Sequence, residues 1–305
     1  MTFWRSWPGA LLLVSALAAL SVLGVVGYQI YGVTHPPRQP EMTLNLGAEL
    51  ARAETVQFRA ADGVALRGWL LKGERGKPAV LLAHDLGESK NALINLAIAL
   101  NKAGLTVLAF DFRGHGGSGG SGSTLGVNEA RDVLGAADFL ADLPDDEVDP
   151  RGIGAFGSGM GAHAVALAAA DRPILRVLVL DGLWPDARWM LVGRTFRDWP
   201  WAQEHLGAIP AIVFPLVVGT AVDSRRAADV LPAVARRDLL LVAPAGDARL
   251  DEAMKAMYAT LPERKDAERN LVTLPGTRAS GLTGAELARY HGQVVGFFLS
   301  RLAGS

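Results

Sequence analysis

The stretch Arg151 to Ala168, RGIGAFGSGMGAHAVALA, leaves the backbone few choices. A short apolar strand, Ile153 to Phe156, runs into a turn made almost entirely of glycine, Gly157-Ser158-Gly159-Met160-Gly161, and an alanine-rich helix begins at once. Strand, sharp glycine turn and helix form the layout of a nucleophile elbow. Small residues two before and two after the reactive position let strand and helix pack closely there. With Gly157 and Gly161 as those small residues, the reactive position falls on Gly159, which carries no nucleophile. Moving the motif back by one residue offers Ser158 as the nucleophile, but it puts Phe156 and Met160 where the turn needs small side chains. A serine in a glycine turn commonly serves the backbone through its hydroxyl instead.

The elements around the elbow set the fold class. Glu54 to Arg59 and Ala65 to Lys72, joined by Ala61-Asp62-Gly63, predict an antiparallel hairpin. Downstream, short apolar runs at Ala79–Ala83, Thr106–Phe110, Ile174–Leu180, Asp238–Ala243 and Asn270–Leu274 read as strands. They alternate with helical patterns at Ala92–Ala103, Asn128–Leu143, Leu250–Leu261 and Gly284–Arg301. A hairpin followed by alternating strands and helices predicts an α/β domain over 54–305, with a mostly parallel central sheet covered by helices on both faces.

Ahead of the domain, Leu11 to Ile30 contains no charge, and its roughly 20 residues match the hydrocarbon thickness of a bilayer. Trp4 and Trp7 precede the run, and Tyr28 and Tyr31 close it, as aromatic residues do at membrane interfaces. Residues 1–34 are read as one transmembrane helix, with the bilayer as partner through residues 11–30. The competing reading is a cleaved signal peptide, for which Ser15-Ala16-Leu17-Ala18 supplies small residues; the apolar run continues well past that point. Arg5 and the terminal amine make the front flank basic, while His35, Arg38 and Glu41 nearly cancel behind. That bias puts the N-terminus in the cytoplasm and the domain on the extracytoplasmic side. His35-Pro36-Pro37-Arg38-Gln39-Pro40 opens a stiff, proline-rich linker over 35–53.

A formal net charge of −1 with mixed signs gives no electrostatic footprint for nucleic acid. The chain has no cysteine, so thiolate nucleophiles and disulfides are excluded. No His, Asp and Glu set has metal-ligand spacing, and no cofactor is expected; the glycine-rich loop Gly114 to Gly122 lacks the lysine of a phosphate cradle and reads as a flexible connector.

Several local patterns point the same way: Asp62-Gly63 with Arg67-Gly68-Trp69, Asp111-Phe112-Arg113-Gly114-His115-Gly116, Ser123-Thr124-Leu125-Gly126 with Glu129 and Asp132, the elbow, and the closing Tyr290 to Phe298 helix. Together they resemble the α/β-hydrolases, and within them a bacterial, membrane-anchored lysophospholipase-like or serine-aminopeptidase-like branch. The resemblance implies the α/β-hydrolase fold with a small lid insertion over 182–230. It implies a serine attacking a carbonyl, a histidine taking the serine's proton, an acid orienting the histidine, and backbone N–H groups holding the oxyanion. On this chain it places the nucleophile at Gly159, the acid at Asp247, and the oxyanion donors at Leu86 and Met160. The histidine belongs in the loop 275–281, where Thr277 stands and no histidine occurs. Asp247 is equally well explained as a helix cap.

The six histidines are His35, His84, His115, His163, His205 and His291; none falls in that loop, and His84 and His115 match ordinary family positions near the sheet edge. Asp85 either brings a carboxylate beside a site built to hold negative charge, or turns away on a backbone conformation that Asp tolerates. Trp184, Trp189, Trp199 and Trp201, followed by the uncharged run Ala208 to Val222, read as a buried lid helix, with a surface for lipid or partner as the other reading. The function expected is a membrane-anchored, non-catalytic relative of a hydrolase that binds a small-molecule or protein ligand at the lid and pocket. The alternatives are an active esterase, lipase or peptidase using Ser158, and a membrane-associated structural subunit.

Overall fold

The computed structural model describes residues 7–40, 53–144, 148–221, 224–262, 269–274 and 282–302. Strands β1 (Glu54–Arg59) and β2 (Ala65–Leu71) form the antiparallel hairpin, and β2 pairs antiparallel with β4 (Thr106–Asp111). Strands β3 (Lys77–Ala83), β4, β5 (Val148–Ser158), β6 (Leu175–Asp181), β7 (Asp238–Pro244) and β8 (Arg269–Leu274) run parallel, and the sheet order is β1-β2-β4-β3-β5-β6-β7-β8. This is the α/β-hydrolase fold.

The apolar runs are continuous rather than alternating because both faces of the sheet are buried. Along β3, Ala79, Leu81 and Ala83 enter one core while Val80 and Leu82 enter the other. The first core is completed by α3 (Glu129–Ala141), α4 (Met160–Asp171) and α8 (Ala227–Val234) through Val133, Val165 and Leu231. The second is closed by α2 (Ile94–Lys102) and α10 (Gly284–Leu302) through Leu96, Leu100, Val294 and Phe298. The order reverses between β3 and β5, so the chain leaves these neighbouring strands toward opposite sides. The crevice beyond their carboxyl ends is where such sheets place ligands.

The segment after β6 folds as α5 (Ala187–Thr195), α6 (Pro200–Leu206) and α7 (Ala208–Val218), followed beyond α8 and β7 by α9 (Ala248–Ala259). Only one face of α7 is buried, through Pro210, Val213 and Phe214, while Ile212 and Leu216, four residues apart, are exposed. The expectation of a buried lid helix is therefore corrected to a helix with an open apolar face.

The N-terminal helix α1 (Trp7–Thr34) is long and apolar enough to be a membrane span or a signal sequence. Its leading turns stand clear of the domain, with Leu11, Leu12, Leu13 and Leu20 exposed. Val26, Ile30 and Thr34, spaced to share one helix face, are buried against the first core and the lid. The domain thus grips the end of α1, and Ser123 N–H donates to the Thr34 carbonyl at 2.7 Å.

Residues 35–40 do not act as a free spacer, and the loop 114–122 is not loose. Arg38 donates to the carbonyls of Gly116, Ser118 and Gly120. Ser118 Oγ donates to the Asp111 carbonyl at 2.6 Å, and Gly117 N–H donates to the Asp111 carboxylate. Glycine-rich backbone presents carbonyls with no sheet partner, and one guanidinium with several donors satisfies three of them. Residues 41–52 of the expected linker lie outside the described residues.

Candidate active site

The elbow begins where β5 ends. Gly159 sits between strand and helix α4 with φ +53° and ψ −111°. A left-handed φ of this kind is costly for side-chain-bearing residues. The glycines at 157 and 161 are required by contact: a Cβ on Gly157 would strike the Gly161 carbonyl, and one on Gly161 would strike the carbonyl of Ala83. The turn is held by Gly159 N–H donating to the Asp181 carbonyl at 2.8 Å and by His163 N–H donating to the Gly159 carbonyl at 3.1 Å.

Across the crevice, the loop leaving β3 brings Asp85 to the same point. Its Oδ1 accepts the N–H of Leu86 at 2.7 Å and the N–H of Met160 at 2.8 Å. Asp85 is 4% exposed, and a Cβ placed on Gly159 would lie under 3.0 Å from its carboxylate. Of the two readings of Asp85, turning away is corrected: the side chain turns in. The reason is acceptance: two backbone N–H groups converge there, and one carboxylate oxygen, with two lone pairs, takes both.

Two histidines fix the loop that carries Asp85. Phe112 N–H donates to His84 Nε2 at 3.1 Å, so the ring proton is on Nδ1, which donates to the Asp85 carbonyl at 2.7 Å. Gly87 N–H donates to His115 Nε2 at 3.2 Å, and His115 Nδ1 donates to the Arg113 carbonyl at 2.9 Å. Burial, reinforced by neighbouring His115, lowers the His84 pKa to about 3, so its ring stays neutral. His163, four residues beyond Gly159 on α4, is fully buried edge-on to Trp184, and burial lowers its pKa to about 4.

Above Asp85 and Gly159 lies a cavity of about 260 Å³. Its floor includes Ser158 and Asp181, its lid wall carries Trp189, Arg194 and Arg197, and α9 adds Arg249. The Arg249 guanidinium lies over the Trp189 ring, 4.1 Å from its centroid. Asp247 lies on the rim, exposed, and its Oδ1 caps α9 by accepting Leu250 N–H at 3.1 Å. Ser158 also faces a second cavity of about 220 Å³ that it shares with Tyr290 and His291. Tyr290 donates its hydroxyl to Asp181 Oδ2 at 2.8 Å, and burial together with that carboxylate raises its pKa.

The fold therefore brings Ser158, Gly159, Leu86, Met160 and Asp247 to one crevice. Thr277, expected at the histidine position, lies outside the described residues. Among the described residues no group of three or more His, Cys, Asp or Glu has the geometry to hold a metal ion. The sequence reading missed Arg194 and Arg197 of the lid wall, Arg249 of α9 and the Asp181–Tyr290 pair, which come from elements far apart in the chain.

Residues 74–228, about half of the chain, match the family described as serine aminopeptidase, S33. A Mycobacterium tuberculosis protein without an assigned function is 30% identical over 203 residues, 64% of this chain and 68% of its own length. A thiohydrolase of Aspergillus aculeatus is 34% identical over 147 residues, 47% of this chain and 43% of its own. Among solved structures, an esterase of Pyrococcus furiosus superposes with a TM-score of 0.65 at 20% identity, covering 88% of this chain and 99% of the esterase. An α/β hydrolase from a Penicillium species superposes with a TM-score of 0.65 at 17% identity, covering 82% of this chain and 99% of its own.

Proposed function

The chain belongs to the serine aminopeptidase S33 family of the α/β-hydrolases, and from that premise we propose that it is a membrane-anchored, non-catalytic member that uses the old substrate crevice to bind a ligand. One observation carries the reading. The carboxylate of Asp85 accepts the N–H groups of Leu86 and Met160, the two positions expected to hold an oxyanion, directly opposite a glycine at the nucleophile position. A developing oxyanion would have to displace a negative charge already bound there, which removes the electrostatic stabilisation that is usually the largest catalytic contribution.

The missing serine and histidine act in the same direction, because a hydroxyl is a weak nucleophile without a base in reach and the members of such a unit do not contribute additively. The exposed apolar length of α1 supports anchoring, and the flanking charges support an extracytoplasmic domain with the N-terminus in the cytoplasm. Binding without turnover also accommodates the lid wall, whose Arg194 and Arg197 guanidiniums suit an anionic group.

Catalysis by Ser158 is the second reading. It is favoured by the cavity that Ser158 shares with His291, and by the esterase and thiohydrolase names carried by similar proteins. A fluorophosphonate probe separates the two: the full-length protein in neutral detergent is expected to remain unlabelled and to hydrolyse neither oxygen esters nor thioesters above background. Stoichiometric labelling that disappears in Ser158→Ala would overturn the non-catalytic reading.

A further inference from the structure

A groove of about 920 Å³ runs between α1 and the lid, and its lining combines two chemistries. Gly24, Val25 and Tyr28 come from the uncharged run of α1, and Arg194 and Arg197 from the lid. Those two arginines also line the cavity above Asp85, so groove and cavity meet at them. Among the described residues that line the groove, the one carboxylate beside these two arginines is Asp198.

The position along α1 fixes the depth. Val25 and Tyr31 are about 9 Å apart at the rise of an α-helix, so the groove crosses the end of a run that already matches the hydrocarbon thickness. Tyr28 and Tyr31, both exposed, sit where amphipathic rings mark the headgroup level. The open face of α7 extends the apolar surface beside it: a Cβ added to Gly27 of α1 would lie 3.8 Å from Val213, and Ile212 and Leu216 are exposed. A ligand here meets both hydrocarbon-facing surface and two guanidiniums, a phosphate-binding chemistry.

We propose that this groove binds an anionic phospholipid of the surrounding leaflet, with its phosphate on Arg194 and Arg197 and an acyl chain along Gly24, Val25 and Tyr28. The site rests on the membrane placement proposed above. It would present the headgroup at the mouth of the cavity over Asp85, making a bilayer lipid the ligand of the non-catalytic crevice.

The test uses the full chain in neutral detergent, titrated with phosphatidylglycerol, phosphatidylcholine or soluble glycerol 3-phosphate, with melting temperature and native mass spectrometry as readouts. Phosphatidylglycerol is expected to raise the melting temperature and to stay bound, whereas the other two do neither. Arg194→Gln with Arg197→Gln should weaken phosphatidylglycerol by about tenfold for each guanidinium removed. Gly24→Leu, at a position where an added Cβ meets nothing within 4 Å, should fold normally and weaken the same lipid by filling the apolar part of the groove. Equal effects of phosphatidylcholine, an equal shift with glycerol 3-phosphate, or parental binding in both variants would overturn the proposal. Carbonate extraction of membranes is read in parallel. Release of the protein would defeat the membrane placement, and the site with it. Retention without a preference for phosphatidylglycerol would defeat the lipid site alone.

Discussion

Asp85 and Asp247 line the same cavity and have opposite fates. Asp85, 4% exposed, reaches across the crevice to take two backbone N–H groups, while Asp247 stays exposed on the rim and takes one at the start of α9. The side chains are identical, so the difference lies in what the backbone offers each of them. Beside Asp85, two orphan donors from separate elements converge, and the rings of His84 and His115 hold the loop in place. Asp247 accepts from the first turn of a helix, with solvent as a competing partner. A carboxylate at the expected acid position therefore persists as a cap, and one at an unexpected position takes the N–H groups of Leu86 and Met160.

Removing the two carboxylates should expose that difference most sharply. Asp85→Ala leaves two buried N–H groups unpaired and should lower stability by about 3 kcal/mol, measured as the loss in unfolding free energy at pH 7. Asp85→Asn keeps an acceptor oxygen in place and should cost well under half of that. Equal losses in the two variants would mean that charge, not acceptance, holds the loop.

Acidification should act on the buried side of the comparison and spare the rim. His84 and His163 are neutral in the fold, with pKa lowered to about 3 and about 4, whereas in the unfolded chain they take protons near 6.5. The unfolded state binds more protons below 6.5, so stability should fall from pH 6.5 toward 4, by a few kcal/mol in all. Asp186, Glu129 and a hydrogen bond to the Arg225 backbone oppose the lowering at His163, while the Arg225 charge assists it. Unfolding free energies across that window should give a shallower slope in His163→Leu than in the parent chain. Identical slopes would remove His163 from the titration.

The smallest effect belongs to the rim. Asp247→Ala removes a single cap bond and should cost about 1 kcal/mol, with no change at the elbow. A loss as large as that of Asp85→Ala would erase the distinction drawn between the two residues.

The fold was legible because its signals are local. Uninterrupted apolar strands such as Leu81-Leu82-Ala83 announce a sheet buried on both sides, and Gly157 and Gly161 announce the close packing that fixed the reactive position on Gly159. The direction of Asp85 was not legible, because it depends on N–H groups 1 and 75 residues away and on two rings from β3 and the loop after β4. The docking of α1 was hidden for a related reason. Val26, Ile30 and Thr34 share a face only as part of a helix whose whole surface is apolar, so no amphipathic pattern marks the buried side. Arg38, in a segment read as a spacer, could be placed only once the glycine loop it serves had a shape.

The most direct test of the closed site is a double-mutant cycle between the facing positions, Asp85→Gly and Gly159→Ser, followed by unfolding of the full chain in one detergent. Gly159→Ser alone should cost about 2–4 kcal/mol, from a side chain at φ +53° and from its collision with the Asp85 carboxylate. In the Asp85→Gly background the collision is gone, and the same substitution should cost at least about 1 kcal/mol less. An identical cost in both backgrounds would show that the Asp85 carboxylate does not fill the space above Gly159, and would contradict a site closed by its own acid.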